Sequence, residues 1–203
     1  MTGITALILL ISLMLIGITV ASVLTGENSS TTTEDNFDQI TKEVMDEIST
    51  YIQIKDQKGK YCISNGEQKI EKIALLISPL ITQEINISQL TIQLNDGESV
   101  VFLVYTGNAE NLVSNSIFDH PIWNNINGSN FGFISIVDID GSLVNNNIIN
   151  DCSDNAYIVF KLPYDMTITK NEKLIVTLFP STGITRTTIL EAPLPIKPIV
   201  TFE

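Results

Sequence analysis

The chain has 203 residues, enough for one domain with a sizeable core beside a separate helical segment. Its 23 acidic against 11 basic residues give a net charge of −12, which excludes a nucleic-acid partner, because that needs a basic footprint. Two cysteines without Cys-x-x-Cys spacing and a single histidine supply too few soft ligands for a zinc site.

From Met1 to Gly26 no side chain is charged; the first is Glu27. Ile4 to Leu24 is 21 residues, which as a helix at ~1.5 Å per residue reaches about 32 Å, close to the ~30 Å hydrocarbon thickness of a bilayer. No face of it is polar, so apolar material must surround it on all sides. Ile4, Leu7, Leu10, Leu13, Val20 and Leu24 supply bulk, while Gly3, Ala6, Gly17, Ala21 and Ser22 allow close approach of another helix. A cleavable signal peptide would show a basic leader and a shorter apolar core. A plain anchor would carry flanking Lys or Arg, and here the nearest basic residue is Lys42. A basic leader already removed is the expectation, with Met1 as the first residue of the processed chain.

Thr31-Thr-Thr-Glu34 reads as a capping box. After it, Phe37, Ile40, Val44, Ile48 and Tyr51 recur at three- and four-residue intervals among charged residues, which predicts an amphipathic helix. Continuity with the first segment across Gly26 is open on the residues alone.

Around Asp56–Gly59 the period turns from helical to alternating. Asn65-Gly66 signals a hairpin between Lys60–Ser64 and Lys69–Ser78. Leu90, Ile92 and Leu94 alternate with polar partners and run into Asn95-Asp-Gly97. Val100–Tyr105 is a near-continuous apolar run, the pattern of a strand covered on both faces. Further strands are predicted at Phe131–Val137, Ala156–Leu162, Lys173–Phe179, Arg186–Leu190 and Ile199–Phe202, with prolines placed at turns or edges. Many short strands between turns predict an antiparallel sandwich or barrel. The fold class is therefore α+β, a long apolar N-terminal helix over 1–55 followed by a β domain over 56–203.

Catalytic chemistry finds little support. His120 lies in a turn-like stretch, Asp119-His-Pro-Ile-Trp123, with no nucleophile motif elsewhere, and reads as a surface loop residue. Asp138-Ile-Asp140-Gly141 reads first as an Asp-Gly hairpin turn. A structural cation on Asp138 and Asp140 is the second reading, although the remaining carboxylates of an EF-hand loop are missing. Three sequons, at Asn28, Asn86 and Asn127, offer glycan sites; Asn86 and Asn127 sit in loop-like parts of the β domain and are favoured over Asn28.

Met1-Thr-Gly-Ile-Thr-Ala-Leu-Ile8 resembles the processed N-terminus of archaeal flagellins, the archaellins, which reads x-x-Gly-[Ile/Leu]-small-[Thr/Ala]-Leu-Ile after removal of a pilin-type leader. Ile77-Ser-Pro-Leu80 with Ile85–Gly97, and Glu172–Gly183 with Thr187-Thr-Ile189 and Pro193, resemble blocks of that family's β domain. The middle, about 107 to 154, carries no such resemblance. Thr5 stands where bacterial pilins have a glutamate, as is common in archaellins; the two cysteines depart from the family pattern.

The resemblance implies a single long helix and a structural subunit of a swimming filament outside the cell, with adhesion as an added role. Its partners would be copies of itself or a paralogous archaellin. A leader peptidase, a membrane platform and a motor ATPase would act in assembly, after transient residence of the helix in the membrane. An adhesion pilin shares the same helix physics, and a monomeric membrane-anchored binding ectodomain is the reading from another class. In an extracellular domain Cys62 and Cys152 would form one disulfide closing a loop of about 90 residues; two separate buried thiols is the other reading.

Overall fold

The computed structural model describes residues 51–202 apart from 65, 83, 115, 170–171, 182 and 193–197, together with Ile40, Thr41 and Val44, which are helical. The apolar N-terminal positions from Met1 to Leu24, and Asn28, lie outside the described residues. Tyr51, expected as the last apolar position of the amphipathic helix, is outside helix; its carbonyl accepts from the Leu80 N–H at 3.1 Å.

Strand β1 (Ile52–Ser64) therefore begins before position 56, where the β domain was expected to start. It forms a long hairpin with β2 (Glu67–Pro79), closed at Asn65-Gly66 as the sequence predicts: Ser64 pairs with Glu67 and Gly66 has φ +82°. The strands that follow are β3 (Ile85–Asn86), β4 (Thr91–Asn95), β5 (Val100–Asn111) and β6 (Asn130–Val137). A five-residue helix α1 (Ser142–Asn146) precedes β7 (Ile148–Ile149), β8 (Asn155–Lys161), β9 (Lys173–Phe179), β10 (Arg186–Glu191) and β11 (Ile199–Thr201).

Among the described residues nine strands make one sheet, in the order β10-β9-β4-β5-β6-β8-β2-β1-β11, and β3 pairs with β7 separately. This is a single curled sheet in place of the two facing sheets of a sandwich. The curl brings its ends together: Thr188 Oγ1 on edge strand β10 donates to Gln57 Oε1 on β1 at 3.0 Å. The pairing also departs from the antiparallel expectation at one place, since β5 and β6 run parallel. A parallel pair needs a long crossover, and residues 112–129 supply it.

Where β5 meets β6, residues 106–108 stand opposite Gly132 alone. Gly107 takes φ +84° at the crest of this bulge, a conformation that disfavours any side chain. A Cβ on Gly132 would stand 2.8 Å from the Asn108 carbonyl oxygen, so only glycine fits beneath the bulge.

Strand alternation divides the side chains between two faces. The concave side holds the main core: Ile73, Leu75 and Ile77 of β2, Ile92 and Leu94 of β4, Phe131 and Phe133 of β6, Ile158 and Phe160 of β8, and Leu174, Val176 and Leu178 of β9. Ile85, Ile87, Leu143 and Ile149 join it from β3, the turn after it, α1 and β7. On the convex side the crossover lays Phe118, Ile122, Trp123 and Ile126 over Ala74, Ile134, Tyr157 and Val159 of β2, β6 and β8. Trp123 stacks on Phe118 with centroids 5.9 Å apart and donates from Nε1 to the Ile117 carbonyl at 2.8 Å. Lys72 Nζ lies 5.0 Å above the Trp123 ring, and Lys60 Nζ meets Asp119 Oδ1 at 3.0 Å.

The remaining convex surface, on β5, β4, β9 and β10, has no such cover among the described residues. Val100, Phe102 and Val104 are 49, 56 and 52% exposed, so Val100–Tyr105 is covered on one face and not on both as its apolar run predicts.

Candidate functional site

His120 is buried, contrary to the surface reading. Its Nδ1 accepts the Ile122 N–H at 3.2 Å and its Nε2 lies 3.0 Å from the Asn111 carbonyl, so both ring nitrogens are engaged by backbone. A histidine so engaged pins the crossover onto the end of β5 and offers no nitrogen to a substrate.

The segment after β6 gathers carboxylates. Gly141, at φ +71°, starts α1 instead of closing a hairpin, so Asp138-Ile-Asp140-Gly141 is a strand-to-helix turn. Helix α1 ends on Asn147, itself left-handed at φ +59°, which returns the chain into β7 and then into the turn before β8. That return brings Asp154 beside the first two acids. One carboxylate oxygen from each of Asp138, Asp140 and Asp154 lies within 4.8 Å of the others.

The loop holds these acids through backbone donors. Asp140 Oδ1 accepts the Ser142 N–H at 3.0 Å and its Oδ2 accepts Asn150 Nδ2 at 2.7 Å. Asp154 Oδ2 accepts the N–H groups of Asn150 and Asp151 at 3.1 and 3.0 Å, and Asp138 Oδ2 accepts the Val144 N–H at 3.3 Å. The Asn150 amide and then the Ser142 N–H hold the Asp140 carboxyl down to about 2. Asp138 Oδ1, in contrast, is buried without a hydrogen-bond partner, a costly state for a carboxylate oxygen. A cavity of about 370 Å³ opens here, with Asp140, Asn150, Asp151 and Asp154 in its wall.

Three converging carboxylate oxygens with the Asn150 amide beside them fit a hard divalent cation of the calcium class, which takes 6–8 oxygens at about 2.3–2.6 Å. Asp138 and Asp140 are the pair marked from sequence. Asp154 was missed because it joins them only through the α1–β7 return.

The sequons of the β domain are presented openly. Asn86 and Asn127 are both exposed. Each folds back on its own hydroxyl residue: Asn86 Oδ1 accepts the Ser88 N–H and Oγ at 3.0 and 2.6 Å, and Asn127 Oδ1 accepts those of Ser129 at 2.9 and 2.8 Å. Their amide nitrogens are left for solvent or modification.

The disulfide expectation fails. Cys62 and Cys152 are free thiols. Cys62 pairs with Lys69 at one end of β2, whereas the strand that Cys152 leads into meets β2 at Ile77. Eight residues of strand separate those points, about 26 Å at ~3.3 Å each, against the ~4.4–6.8 Å a disulfide needs between Cα atoms. Burial, and then the Glu71 carboxylate, push the Cys62 thiol up.

The buried histidine, the separated thiols and the acidic loop all sit within one β-rich domain built on a curled sheet. The model of the archaeal-type flagellins matches residues 1–189, and the chain belongs to that family. It is 29% identical over 147 residues to flagellin B3 of Methanocaldococcus jannaschii, an alignment covering 70% of this chain and 66% of that protein, just under two thirds of its length. The crystal structure of flagellin FlaB1 from Methanocaldococcus jannaschii superposes with a TM-score of 0.67 at 19% identity, over 74% of this chain and 95% of that one. The archaeal flagellum of Methanospirillum hungatei strain JF1 gives 0.50 at 11% identity, over 94 and 93%. These two likenesses are of fold.

Proposed function

We infer that this chain is a non-enzymatic structural subunit of the archaellum, an extracellular filament built from copies of it. The observation that carries the reading is the family match over residues 1–189, which takes in the uncharged N-terminal stretch together with most of the β domain. An apolar segment of that length needs either a bilayer or a bundle of like helices around it. A filament subunit uses both in turn: the helix rests in the membrane, then moves into the filament core, exchanging one apolar environment for another.

At ~25 cal/mol per Å² of apolar area, a helix of this size is worth tens of kcal/mol before entropic costs. Assembly then holds without a covalent link. Contacts that repeat without closing a ring give a helical polymer. In this reading Gly3, Ile4, Leu7, Leu10, Leu13, Gly17, Val20 and Leu24 lie on the core helix, which runs through the amphipathic stretch to the β domain. A leader peptidase acts before assembly, a membrane platform with its ATPase drives insertion, and a paralogous archaellin can share the filament. Glycans on Asn86 and Asn127 would stand clear of the sheet, and a cation on Asp138, Asp140 and Asp154 would brace the β6–β8 connection.

Shearing cells and pelleting them at low speed tests this directly. The protein is expected in the supernatant as sedimentable polymer; retention in the membrane fraction as a monomer would refute it.

A further inference from the structure

The sheet's convex side is half covered. Over β2, β6 and β8 the crossover supplies Phe118, Ile122, Trp123 and Ile126. Over β5, β9 and β10 six apolar side chains, Val100, Phe102, Val104, Ile175, Phe179 and Ile189, lie on the outer face, and among the described residues nothing of comparable kind covers them. Four of the six are about half exposed, Ile189 at 52% being the fourth. The register sets them in adjoining rows: Phe179 and Val104 flank Thr91 of β4, and Ile175 lies between Asn95 of β4 and Ile189 of β10. The side chains interleaved among them on β4 are Thr, Gln and Asn. The charges beside them on β9 and β10, Lys173 and Glu191, pair with each other at 2.9 Å at the end of the patch, although the chain carries −12 overall.

We propose that this apolar outer face of β5, β4, β9 and β10 is where the β domain of another copy of this chain docks in the filament. The proposal rests on the filament reading above and adds to it a specific surface.

Three observations select that occupant. First, Val100–Tyr105 has the composition of a strand buried on both faces, and the described residues cover only one, with Leu103 buried and Val101 and Tyr105 against the core. Second, copies that each carry −12 repel one another, so the least costly meeting ground is a surface without net charge. A strongly basic or acidic partner would meet only the Lys173–Glu191 pair there, whose charges already offset each other. Third, four strands at ~4.8 Å spacing and about 13 Å of strand length give roughly 200–300 Å², well short of the ~800 Å² per partner of a free-standing complex. Such a contact forms only where something else already holds the copies together, and polymerisation through the N-terminal helix supplies that high effective concentration.

The test compares filaments of wild type, Phe102→Glu, Ile189→Glu and, as a control of equal charge, Ile63→Glu, which alters an exposed residue on the β1 hairpin (74% exposed). Filament length after a standard shear and the temperature of dissociation are read by electron microscopy and light scattering. Urea unfolding of the dissociated subunits is read alongside. The expected result is filaments of Phe102→Glu and Ile189→Glu shortened several-fold and dissociating at least 5–10 °C lower, with subunit unfolding midpoints unchanged and Ile63→Glu like wild type.

Unchanged filaments in both patch variants would overturn the docking surface while leaving the filament reading intact. An equal loss in Ile63→Glu would overturn it too, by making added charge the cause and not position. A lowered unfolding midpoint in Phe102→Glu would assign the face to a segment of the same chain. Wild-type protein that forms no filament would strike down the filament reading and this contact together.

Discussion

Trp123→Ala is the sharpest perturbation of the fold, because Trp123 is the largest of the four crossover side chains packed on the sheet. Trp123 is 3% exposed and packs in the cluster with Ala74, Ile134, Tyr157 and Val159. Truncating a buried Trp or Phe to Ala costs about 3–5 kcal/mol from lost transfer energy and the cavity left behind. The stack on Phe118 at 5.9 Å and the Nε1 bond to the Ile117 carbonyl at 2.8 Å fall within that figure and place it toward the upper end. About 4 kcal/mol is a large part of the 5–15 kcal/mol of a whole domain. Urea unfolding followed by far-UV circular dichroism is the assay, since the substitution removes the only tryptophan. The midpoint should fall with the slope unchanged. Trp123→Phe, which keeps a ring but loses the indole donor, should cost about 1–2 kcal/mol. A Trp123→Ala loss below about 1 kcal/mol would refute the packing of the crossover on β2, β6 and β8.

Gly132→Ala should destabilise by about 1–3 kcal/mol in the same assay, because the added carbon meets the Asn108 carbonyl at 2.8 Å and backbone must move. Calcium at millimolar concentration should raise the thermal midpoint of wild type and not of Asp154→Asn, with chelator reversing it; equal shifts in both would exclude Asp154 as a ligand. Asp140, held down to about 2, contributes stability that is fully present above about pH 4 and lost as pH falls toward 2. Acid titration of Asp140→Asn should show a shallower decline over that window. Thiol titration without reductant should find both cysteines free, the exposed Cys152 reacting fast and the half-buried Cys62, with its raised thiol, slowly.

Much of the β domain was legible because strands that face a core on one side alternate. Leu90, Ile92 and Leu94 are buried at every second position, and Lys173–Phe179 forms β9 over the predicted span. The Asn65-Gly66 turn was legible because a two-residue hairpin demands a positive φ. What stayed hidden depends on contacts distant in sequence. The parallel pairing of β5 with β6 leaves no periodic mark, and residues 112–129 look like a polar loop punctuated by aromatics until the sheet gives those aromatics a floor.

His120 was misread for the same reason. A lone histidine reads as exposed unless two backbone groups are known to meet its nitrogens. The acidic site was half legible: Asp138 and Asp140 are two residues apart, while Asp154 arrives through a helix and a strand. The cysteines show the limit of counting, since an even number says nothing about which end of β2 each one occupies.

The central claim is that copies of this chain polymerise through the apolar N-terminal stretch, with the β domain outside. Electron cryomicroscopy of filaments sheared from cells tests it most directly. A helical filament with a core of packed N-terminal helices, no central channel and β domains on its surface is the predicted result. A discrete particle, or a filament whose core is made of β domains, would contradict it.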